Sequence, residues 1–223
     1  KYSRKYKTKI IPIDSEHFSI FKLIDDQNKK NIKKIYLTAS GGPFLNYNLK
    51  KLKKITPKDA LKHPKWKMGK KITVDSSTLM NKMLEIIEAQ KLFNLPENKV
   101  DMIIHPESLV HAVVEFKNGL TKFIYHDTSM IIPLANAILE DSIDIKDFIK
   151  NKKNINALSN LNFKRVPSNI FPIIKFKKRL NEHPSTSIIV NAANEVLVDR
   201  FLRKKIDFLS INRTVIAVLK DRN

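Results

Sequence analysis

Short runs of β-branched and aromatic residues recur in the first 125 residues and predict the strands of a sheet. The last two runs are separated by Lys117-Asn118-Gly119, and Asn-Gly supplies the positive φ angles of a tight turn. These two runs therefore predict a β-hairpin. The predicted strands cover residues 10–14, 35–39, 72–74, 100–104, 110–116 and 120–125.

Apolar residues spaced three and four positions apart predict amphipathic helices between and after these strands. Residues 140–165 are polar and rich in Lys, Asn and Asp, which is typical of a linker. We therefore predict an α+β (α/β-like) domain with a mixed sheet over residues 1–139 and a small all-α helical bundle domain over 166–223. The predicted helices cover residues 16–25, 77–93, 130–139, 170–181, 188–204 and 209–219.

Charge is the most unusual property of the composition. The 223 residues include 42 Lys and Arg against 22 Asp and Glu, a formal net charge of +20, and a strongly basic surface is typical of nucleic-acid binding. However, 35 of the basic residues are Lys and only 7 are Arg, whereas base and phosphate recognition favours Arg. We interpret most of the excess as a general bias toward Lys. A non-catalytic basic RNA- or anion-binding module is the alternative.

Other features of the composition exclude whole classes of function. The chain has no cysteine, which excludes disulfides, thiolate chemistry and Cys-ligated zinc. No run approaches the roughly 18–20 apolar residues of a membrane span. The four glycines have neither the GxGxxG nor the P-loop spacing, so the sequence predicts no dinucleotide-binding fold.

Two carboxylates follow the first predicted strand. Asp14 and Glu16 lie two positions apart, where extended backbone directs side chains to the same side. Ligands of α/β sheets gather at the carboxyl ends of strands, and paired carboxylates suit a hard cation such as Mg²⁺ or Mn²⁺. The structural alternative is that Asp14 or Ser15 caps the helix that follows.

The helix predicted over residues 77–93 has an apolar face and an opposite polar face. Asn81, Lys82 and Glu85 lie in one stripe of the polar face and offer an amide, an ammonium and a third carboxylate to one ligand. The alternative is an ordinary solvated face, on which Lys82 and Glu85 form a surface ion pair that contributes little.

Loop residues supply the remaining candidates. Ser40 and the two glycines after it either bind an anion or only form a turn. Trp66 and Met68 lie in a loop between a proline and a glycine, which is either a lid over a ligand or a loop held in place by its Trp. His105 and His111 flank Pro106, and spacing alone does not separate a functional His from a half-buried one.

Several motifs occur together in a characteristic order. They are Ile13-Asp-Ser-Glu-His17, Leu37-Thr-Ala-Ser-Gly-Gly-Pro-Phe44, His63-Pro-Lys-Trp-Lys-Met-Gly69, Ile72-Thr-Val-Asp-Ser-Ser-Thr-Leu-Met-Asn-Lys82, Ile104-His-Pro-Glu-Ser108 and Asn191-Ala-Ala-Asn-Glu195. In these motifs the chain resembles the 1-deoxy-D-xylulose 5-phosphate reductoisomerase family over nearly its whole length. That family has an N-terminal NADPH-binding domain that these residues lack. The resemblance therefore implies the catalytic domain (1–139), a linker (140–165) and the C-terminal helical domain (166–223) of a longer enzyme.

The resemblance implies roles for residues that spacing alone leaves open. It implies a Mg²⁺ or Mn²⁺ site with Asp14, Glu16 and Glu85 as ligands, and contacts to NADPH from Met68 and Gly69. The implied catalytic residues are Glu16, Lys82 and His111. The implied substrate-binding residues are Ser15, Ser40, His63, Trp66, Ser76, Asn81 and Lys82.

The implied activity is the NADPH-dependent rearrangement and reduction of 1-deoxy-D-xylulose 5-phosphate to 2-C-methyl-D-erythritol 4-phosphate, in isoprenoid precursor biosynthesis. Because the missing domain holds most NADPH contacts in the family, we expect these 223 residues alone to be inactive. The resemblance also implies a small phosphorylated sugar as substrate, a homodimer without membrane or nucleic-acid partners, and a location in the bacterial cytoplasm or a plastid-type organelle. An inactive homologue of the same fold is a further alternative. Met83 stands where the family usually has Gly, and we expect its side chain on the buried face.

Overall fold

A four-stranded mixed sheet forms the centre of the protein. The computed structural model describes residues 2–24, 29–63, 65–66, 68–139, 144–145 and 160–221. Its strands are β1 (Ile32–Ala39), β2 (Val100–Ile104), β3 (Val110–Phe116) and β4 (Thr121–Tyr125), in the order β2-β1-β3-β4. β1 runs parallel to β2 and antiparallel to β3, and β4 runs antiparallel to β3. The predicted mixed sheet and its hairpin are confirmed, and Gly119 has a φ of +86° in the turn.

Helices cover the sheet and complete the predicted α+β fold. α2 packs against β3 and β4, and α6 packs against β1 and β2. The α-helices are α1 (Tyr2–Lys5), α2 (Ser15–Leu23), α3 (Leu49–Leu52), α4 (Pro57–Ala60), α5 (Lys70–Thr78), α6 (Met80–Phe93), α7 (Ile131–Leu139), α8 (Thr186–Leu202) and α9 (Phe208–Lys220), and residues Pro172–Asn181 form a 3₁₀ helix.

Two of the predicted strands are wrong. Residues 10–14 pair with no strand in the described part of the chain, and Ile10 and Ile13 are exposed. Pro12 also removes one backbone donor from this segment. Residues 72–74 lie inside α5, where Thr73 and Val74 are buried. A three-residue apolar run fits a strand and a buried helix equally well, so the run does not decide between them.

The helix predicted over residues 77–93 is two helices. α5 ends and α6 begins at Leu79, a buried residue with a φ of +66°. Such a left-handed non-glycine residue is costly, and surrounding packing has to hold it in place. Met83 is fully buried, as expected. Lys82 and Glu85 are also buried, so the solvated-face interpretation of their stripe is wrong.

The C-terminal helices pack together and against α5 and α6. Asn194 of α8 donates to the buried Asp75 of α5 (2.8 Å), and Asn212 of α9 donates to the carbonyl of Thr78 (3.1 Å). The helical bundle predicted for this end is confirmed, and the domain boundaries at 139 and 166 stay predictions. Most of the predicted linker lies outside the described residues, but Lys164 forms an antiparallel bridge with Ile104 at the end of β2.

None of the helices in the described segments combines the length and the apolar character needed to cross a bilayer.

Candidate active site

A cavity of about 290 Å³ opens at the carboxyl end of β1, between the start of α2 and the α5–α6 junction. Gly69 is not among its lining residues and instead occupies the position before the first turn of α5. Pro64 and Lys67, in the predicted lid loop, lie outside the described residues. The predicted site residues that line the cavity are Asp14, Ser15, Glu16, Ser40, His63, Trp66, Met68, Ser76, Asn81, Lys82, Glu85 and His111.

Three carboxylates meet on one side of the cavity. Asp14 lies directly before α2, Glu16 lies in its first turn, and Glu85 comes from α6, which packs beside it. One carboxylate oxygen from each lies within 4.8 Å of the others. Asp14 precedes the first residue of α2 but makes no side-chain capping bond, so its carboxylate is not used as a cap.

Lys82 joins two of these carboxylates. Its Nζ lies 2.5 Å from Glu16 Oε1 and 2.5 Å from Glu85 Oε2, and its side chain is 5% exposed. Burial raises the pKa of Glu16, but the charge of Lys82, with smaller effects of His111 and hydrogen bonds, brings it down to about 2. Burial lowers the pKa of Lys82, and the two carboxylates raise it above its usual range. The ammonium is therefore held in its charged form inside the protein.

Glu85 is in the opposite electrostatic position. Burial, followed by the negative charge of Glu16, raises its pKa well above the usual range despite the attraction of Lys82. Its other oxygen accepts a hydrogen bond from Asn81, and Ser15 donates in the same way to Glu16. The three carboxylates face two positive groups, the ammonium of Lys82 and the ring of His17, so one negative charge stays uncompensated when all three are ionised, and a bound divalent cation would neutralise it.

A second polar cluster lies on another side of the cavity. His63 Nε2 lies 3.2 Å from Ser40 Oγ and 3.1 Å from Ser76 Oγ. His63 Nδ1 accepts hydrogen bonds from the backbone amides of Lys65 (3.1 Å) and Trp66 (2.9 Å), so the proton of the neutral ring lies on Nε2. Burial lowers the pKa of His63. The cluster thus directs neutral donors into the cavity, which suits an anionic ligand.

Close backbone packing supports this cluster. Gly42 has a φ of +63°, and its amide donates to Ser40 Oγ (3.1 Å). A Cβ at Gly42 would lie 3.1 Å from Ser77 Cα and 3.2 Å from the carbonyl oxygen of Ser76. Glycine is therefore needed here both for the left-handed backbone and for the close approach of α5, which carries Ser76 into the cavity.

Aromatic rings form a further part of the cavity wall. The Trp66 ring packs edge-on against His111, with 6.1 Å between the ring centroids. His111 is buried and stacks on His126, with ring centroids 3.9 Å apart. Burial, together with the neighbouring His126, lowers the pKa of His111 to about 4. His105, the other candidate beside Pro106, does not line the cavity and stacks on Phe163 instead.

Sequence reasoning missed two histidines at this site. His17 is buried, and its Nδ1 lies 3.1 Å from Asp14 Oδ2 while its Nε2 donates to the Glu85 carbonyl (3.0 Å). Burial lowers the pKa of His17, but these partners raise it to about 9. The three-residue spacing from Asp14 on a predicted helix was the available signal. His126 offered none, because only the hairpin register brings it to His111.

Comparison with known proteins identifies the family of the chain. Residues 10–93 match the family "1-deoxy-D-xylulose 5-phosphate reductoisomerase C-terminal domain", and residues 127–223 match "DXP reductoisomerase C-terminal domain". The 1-deoxy-D-xylulose 5-phosphate reductoisomerase of Pelagibacter ubique is 51% identical over 217 residues, which are 96% of this chain and 55% of that protein. The enzyme of a Wolbachia from Drosophila simulans is 42% identical over 223 residues, 99% of this chain and 57% of that protein.

Solved structures of the same family are also similar to the chain. A DOX-P reductoisomerase in complex with NADPH, fosmidomycin and magnesium superimposes with a TM-score of 0.90 at 35% identity, covering 99% of this chain and 56% of that one. The 1-deoxy-D-xylulose 5-phosphate reductoisomerase of Zymomonas mobilis, in complex with NADPH, gives 0.87 at 32% identity, covering 99% of this chain and 57% of that one.

A mixed sheet with a carboxylate cluster and a serine–histidine cluster at one strand end is typical of the site-bearing part of an enzyme for small charged molecules. The comparisons identify the family within this class. The chain belongs to the 1-deoxy-D-xylulose 5-phosphate reductoisomerase family. It spans slightly more than half the length of the relatives it matches.

Proposed function

We propose that this chain is the metal- and substrate-binding part of an enzyme that converts 1-deoxy-D-xylulose 5-phosphate to 2-C-methyl-D-erythritol 4-phosphate with NADPH. The observation that carries the proposal is the shared cavity, in which a carboxylate cluster around Lys82 lies beside the serine–histidine cluster. A phosphorylated sugar has both features that such a cavity matches, an anionic end and a chain of oxygens able to bind a cation.

The carboxylate cluster fits a resident Mg²⁺ or Mn²⁺. Asp14, Glu16 and Glu85 supply hard oxygen ligands, and burial and the charge of Glu16 raise the pKa of Glu85 despite Lys82, an effect that a bound cation would offset. A divalent ion bound there supplies Lewis acidity, which acidifies a substrate hydroxyl and polarises the adjacent carbonyl. Lys82 and Asn81 hold the carboxylates in place by ion pairing and hydrogen bonding.

The remaining cavity residues bind and orient the substrate. His63, Ser40 and Ser76 donate hydrogen bonds to the phosphate, and Asn81 and Lys82 lie at the boundary between phosphate and carboxylates. Lys82 has three N–H donors, and two are used by Glu16 and Glu85, which leaves one for the substrate. Fixing the remote phosphate aligns the reacting carbons and increases the fraction of productive encounters.

Six cavity residues have further roles in the proposal. Ser15 contacts the carbon chain of the substrate, and Glu16 and Lys82 act as catalytic residues through the charge they hold beside the reacting oxygens. His111, neutral at pH 7, forms a hydrogen bond with the substrate. Trp66 and Met68 cover the bound substrate and exclude water.

The reduction step concerns the whole protein. NADPH is bound in the solved relatives, and we propose that Met68 and Gly69 approach the nicotinamide while other parts of the protein hold most of the cofactor. The 223 residues alone are then expected to bind metal and substrate without catalysing turnover. We further propose a location in the bacterial cytoplasm or a plastid-type organelle.

Metal binding tests the proposal directly. Titration of the chain with Mn²⁺ should show one site whose affinity falls at least about tenfold in Glu85→Gln, because one of three ligands is lost. Glu195→Gln, an exposed change on α8 with the same loss of charge, serves as the control and should not alter the affinity. Fosmidomycin should then bind only in the presence of Mg²⁺ and bind more weakly to Ser76→Ala. Equal Mn²⁺ affinity of Glu85→Gln and the unaltered chain would refute the assigned ligands.

We also propose that two copies of the chain associate. β4 is an edge strand of the described sheet; its Phe123 is 45% exposed, and Leu120, which precedes the strand, is 58% exposed. An exposed apolar edge strand is a surface for pairing with a second strand. Light scattering should show a dimer that Phe123→Lys converts to a monomer, whereas Leu92→Lys on α6 should leave it intact.

The alternative function, a basic module for RNA or anions, rests on the net charge of +20 alone. It predicts RNA binding whose affinity falls steeply with salt concentration. A filter-binding measurement at low salt should show no such affinity beyond that of a similarly basic control protein. The carboxylate cluster around the buried Lys82 and Glu85 gives the enzyme proposal the better support.

A further inference from the structure

Four aromatic rings form a continuous series between α2 and the loop over the cavity. Phe18 packs edge-on against His126 (ring centroids 6.5 Å apart), His126 stacks on His111 (3.9 Å, planes 15° apart), and His111 contacts the edge of Trp66 (6.1 Å). His111 and His126 are both buried. The two imidazoles thus lie face to face at the wall of the cavity, with a ring on each side of the pair.

The hairpin register explains how the pair forms. His111 follows Val110 at the start of β3, and His126 follows Tyr125 at the end of β4, and Val110 pairs with Tyr125. The backbone amide of His126 donates to the Leu109 carbonyl (2.9 Å). The pairing therefore anchors both residues through the backbone, independently of their side chains.

Hydrogen bonds determine which nitrogen of each ring carries the proton. His111 Nε2 lies 3.3 Å from the His126 carbonyl oxygen, which can only accept, so the neutral His111 ring carries its proton on Nε2. His126 Nδ1 donates to the Asp127 carbonyl (2.8 Å). His111 Nδ1 is then an acceptor, and His111 lines the cavity.

The stacking of the two rings restricts the rotation of the His111 ring. A His111 ring without a flat neighbour could turn about its χ2 angle and present the other nitrogen. His126, anchored at its own Nδ1, covers one face of the His111 ring at van der Waals distance. Burial lowers the pKa of both rings, and a second charged imidazole at 3.9 Å would add repulsion, so the pair favours the neutral form.

We propose that His126 is a positioning residue that holds His111 in one ring orientation, with Nδ1 directed to the cavity as an acceptor for a ligand hydroxyl. The part of this proposal that concerns the substrate rests on the proposed function. The part that concerns the ring orientation and tautomer does not, because it applies to the chain without any ligand.

The ligand-free chain provides the first test. Nitrogen-15 spectra of histidine-labelled protein should show His111 as a single neutral tautomer with the proton on Nε2. His126→Phe, which keeps a flat ring, should preserve this signature, whereas His126→Ala should give a mixture of tautomers. His183→Ala, an exposed histidine on the opposite end of the chain, is the control and should change only its own signal. A His111 that carries its proton on Nδ1, or is mixed in the unaltered chain, would overturn the proposal, even if His126→Ala fails to fold.

Ligand binding provides the second test. Fosmidomycin affinity in the presence of Mg²⁺ should fall about tenfold in His126→Ala, the equivalent of one well-oriented hydrogen bond, and should be largely restored in His126→Phe. Mn²⁺ affinity should stay unchanged in both variants, because neither alters a carboxylate. Equal fosmidomycin affinity of His126→Ala and the unaltered chain would contradict the positioning role. Failure of the unaltered chain to bind Mn²⁺ or fosmidomycin would instead contradict the proposed function and leave the tautomer result to decide the present inference.

Discussion

Replacing Asn194 by Asp should destabilise the protein strongly, although the two side chains have nearly the same shape. Asn194 is fully buried, and its Nδ2 donates to Asp75 Oδ1 at 2.8 Å. Asp75 is 2% exposed, and its other oxygen pairs with Lys71 Nζ at 2.7 Å. The change Asn194→Asp replaces the donor by a second carboxylate, so a hydrogen bond is lost and two buried like charges face each other.

The magnitude follows from these contacts. A hydrogen bond to a charged acceptor contributes about 1.5–3 kcal/mol, and leaving that acceptor without its donor adds a comparable desolvation penalty. We therefore expect the free energy of unfolding to fall by at least about 3 kcal/mol at pH 7. For a chain of this size, a loss of 1 kcal/mol lowers Tm by about 2–4 °C, so Tm should fall by about 6–12 °C.

Urea unfolding followed by circular dichroism measures this loss, with Asn191→Asp as the matched control. Asn191 lies one turn earlier on α8 and is exposed, so the same chemical change there should cost less than about 0.5 kcal/mol. At lower pH, protonation of the introduced carboxyl restores a donor to Asp75, and the difference between the two variants should shrink. A difference below about 1 kcal/mol at pH 7 would refute this account of how α8 is held to α5.

Two further predictions concern turns and surface charges. Gly42→Ala and Gly119→Ala should each lower the free energy of unfolding by about 1 kcal/mol, because both glycines have a positive φ. Gly42→Ala should cost about 1–3 kcal/mol more, because only at Gly42 would the added Cβ meet the α5 backbone, at 3.1 Å. Equal midpoints of urea unfolding for the two variants would contradict this prediction. Burial raises the pKa of Asp101, but the ion pair with Lys177 (2.7 Å) lowers it overall. A lowered pKa stabilises the fold above the unfolded-state pKa, and this contribution is lost as the pH falls through the folded-state value. Lys177→Met should therefore lower the free energy of unfolding by about 0.5–1 kcal/mol at pH 7 and by progressively less in acid. The exposed control Lys175→Met should show no such pH dependence. A loss in Lys177→Met that does not change with pH would show that the ion pair is not responsible.

Much of this protein follows from local sequence. The alternation of residues 110–125 around Asn118-Gly119 is sufficient for the β3–β4 hairpin, because turn geometry and strand register are both short-range properties. The strands at 35–39 and 100–104 and the three C-terminal helical segments follow from periodicity in the same way. The candidate site residues also follow from the sequence, by motif order rather than by periodicity, and all but Gly69 line one cavity.

The tertiary structure decided the features that depend on contacts between distant segments. Periodicity identified the stripe of Asn81, Lys82 and Glu85, but whether that stripe faced water depended on Glu16 of α2, 66 residues away from Lys82. The break at Leu79 likewise has no local signal, because its left-handed backbone is favoured only by the packing around it. The stacking of His126 on His111 depends on the irregular register between Val110 and Val113, which the turn does not determine, and their sequence separation alone does not place the rings face to face. Sequence patterns report local preference, whereas burial and charge pairing are properties of the assembled fold.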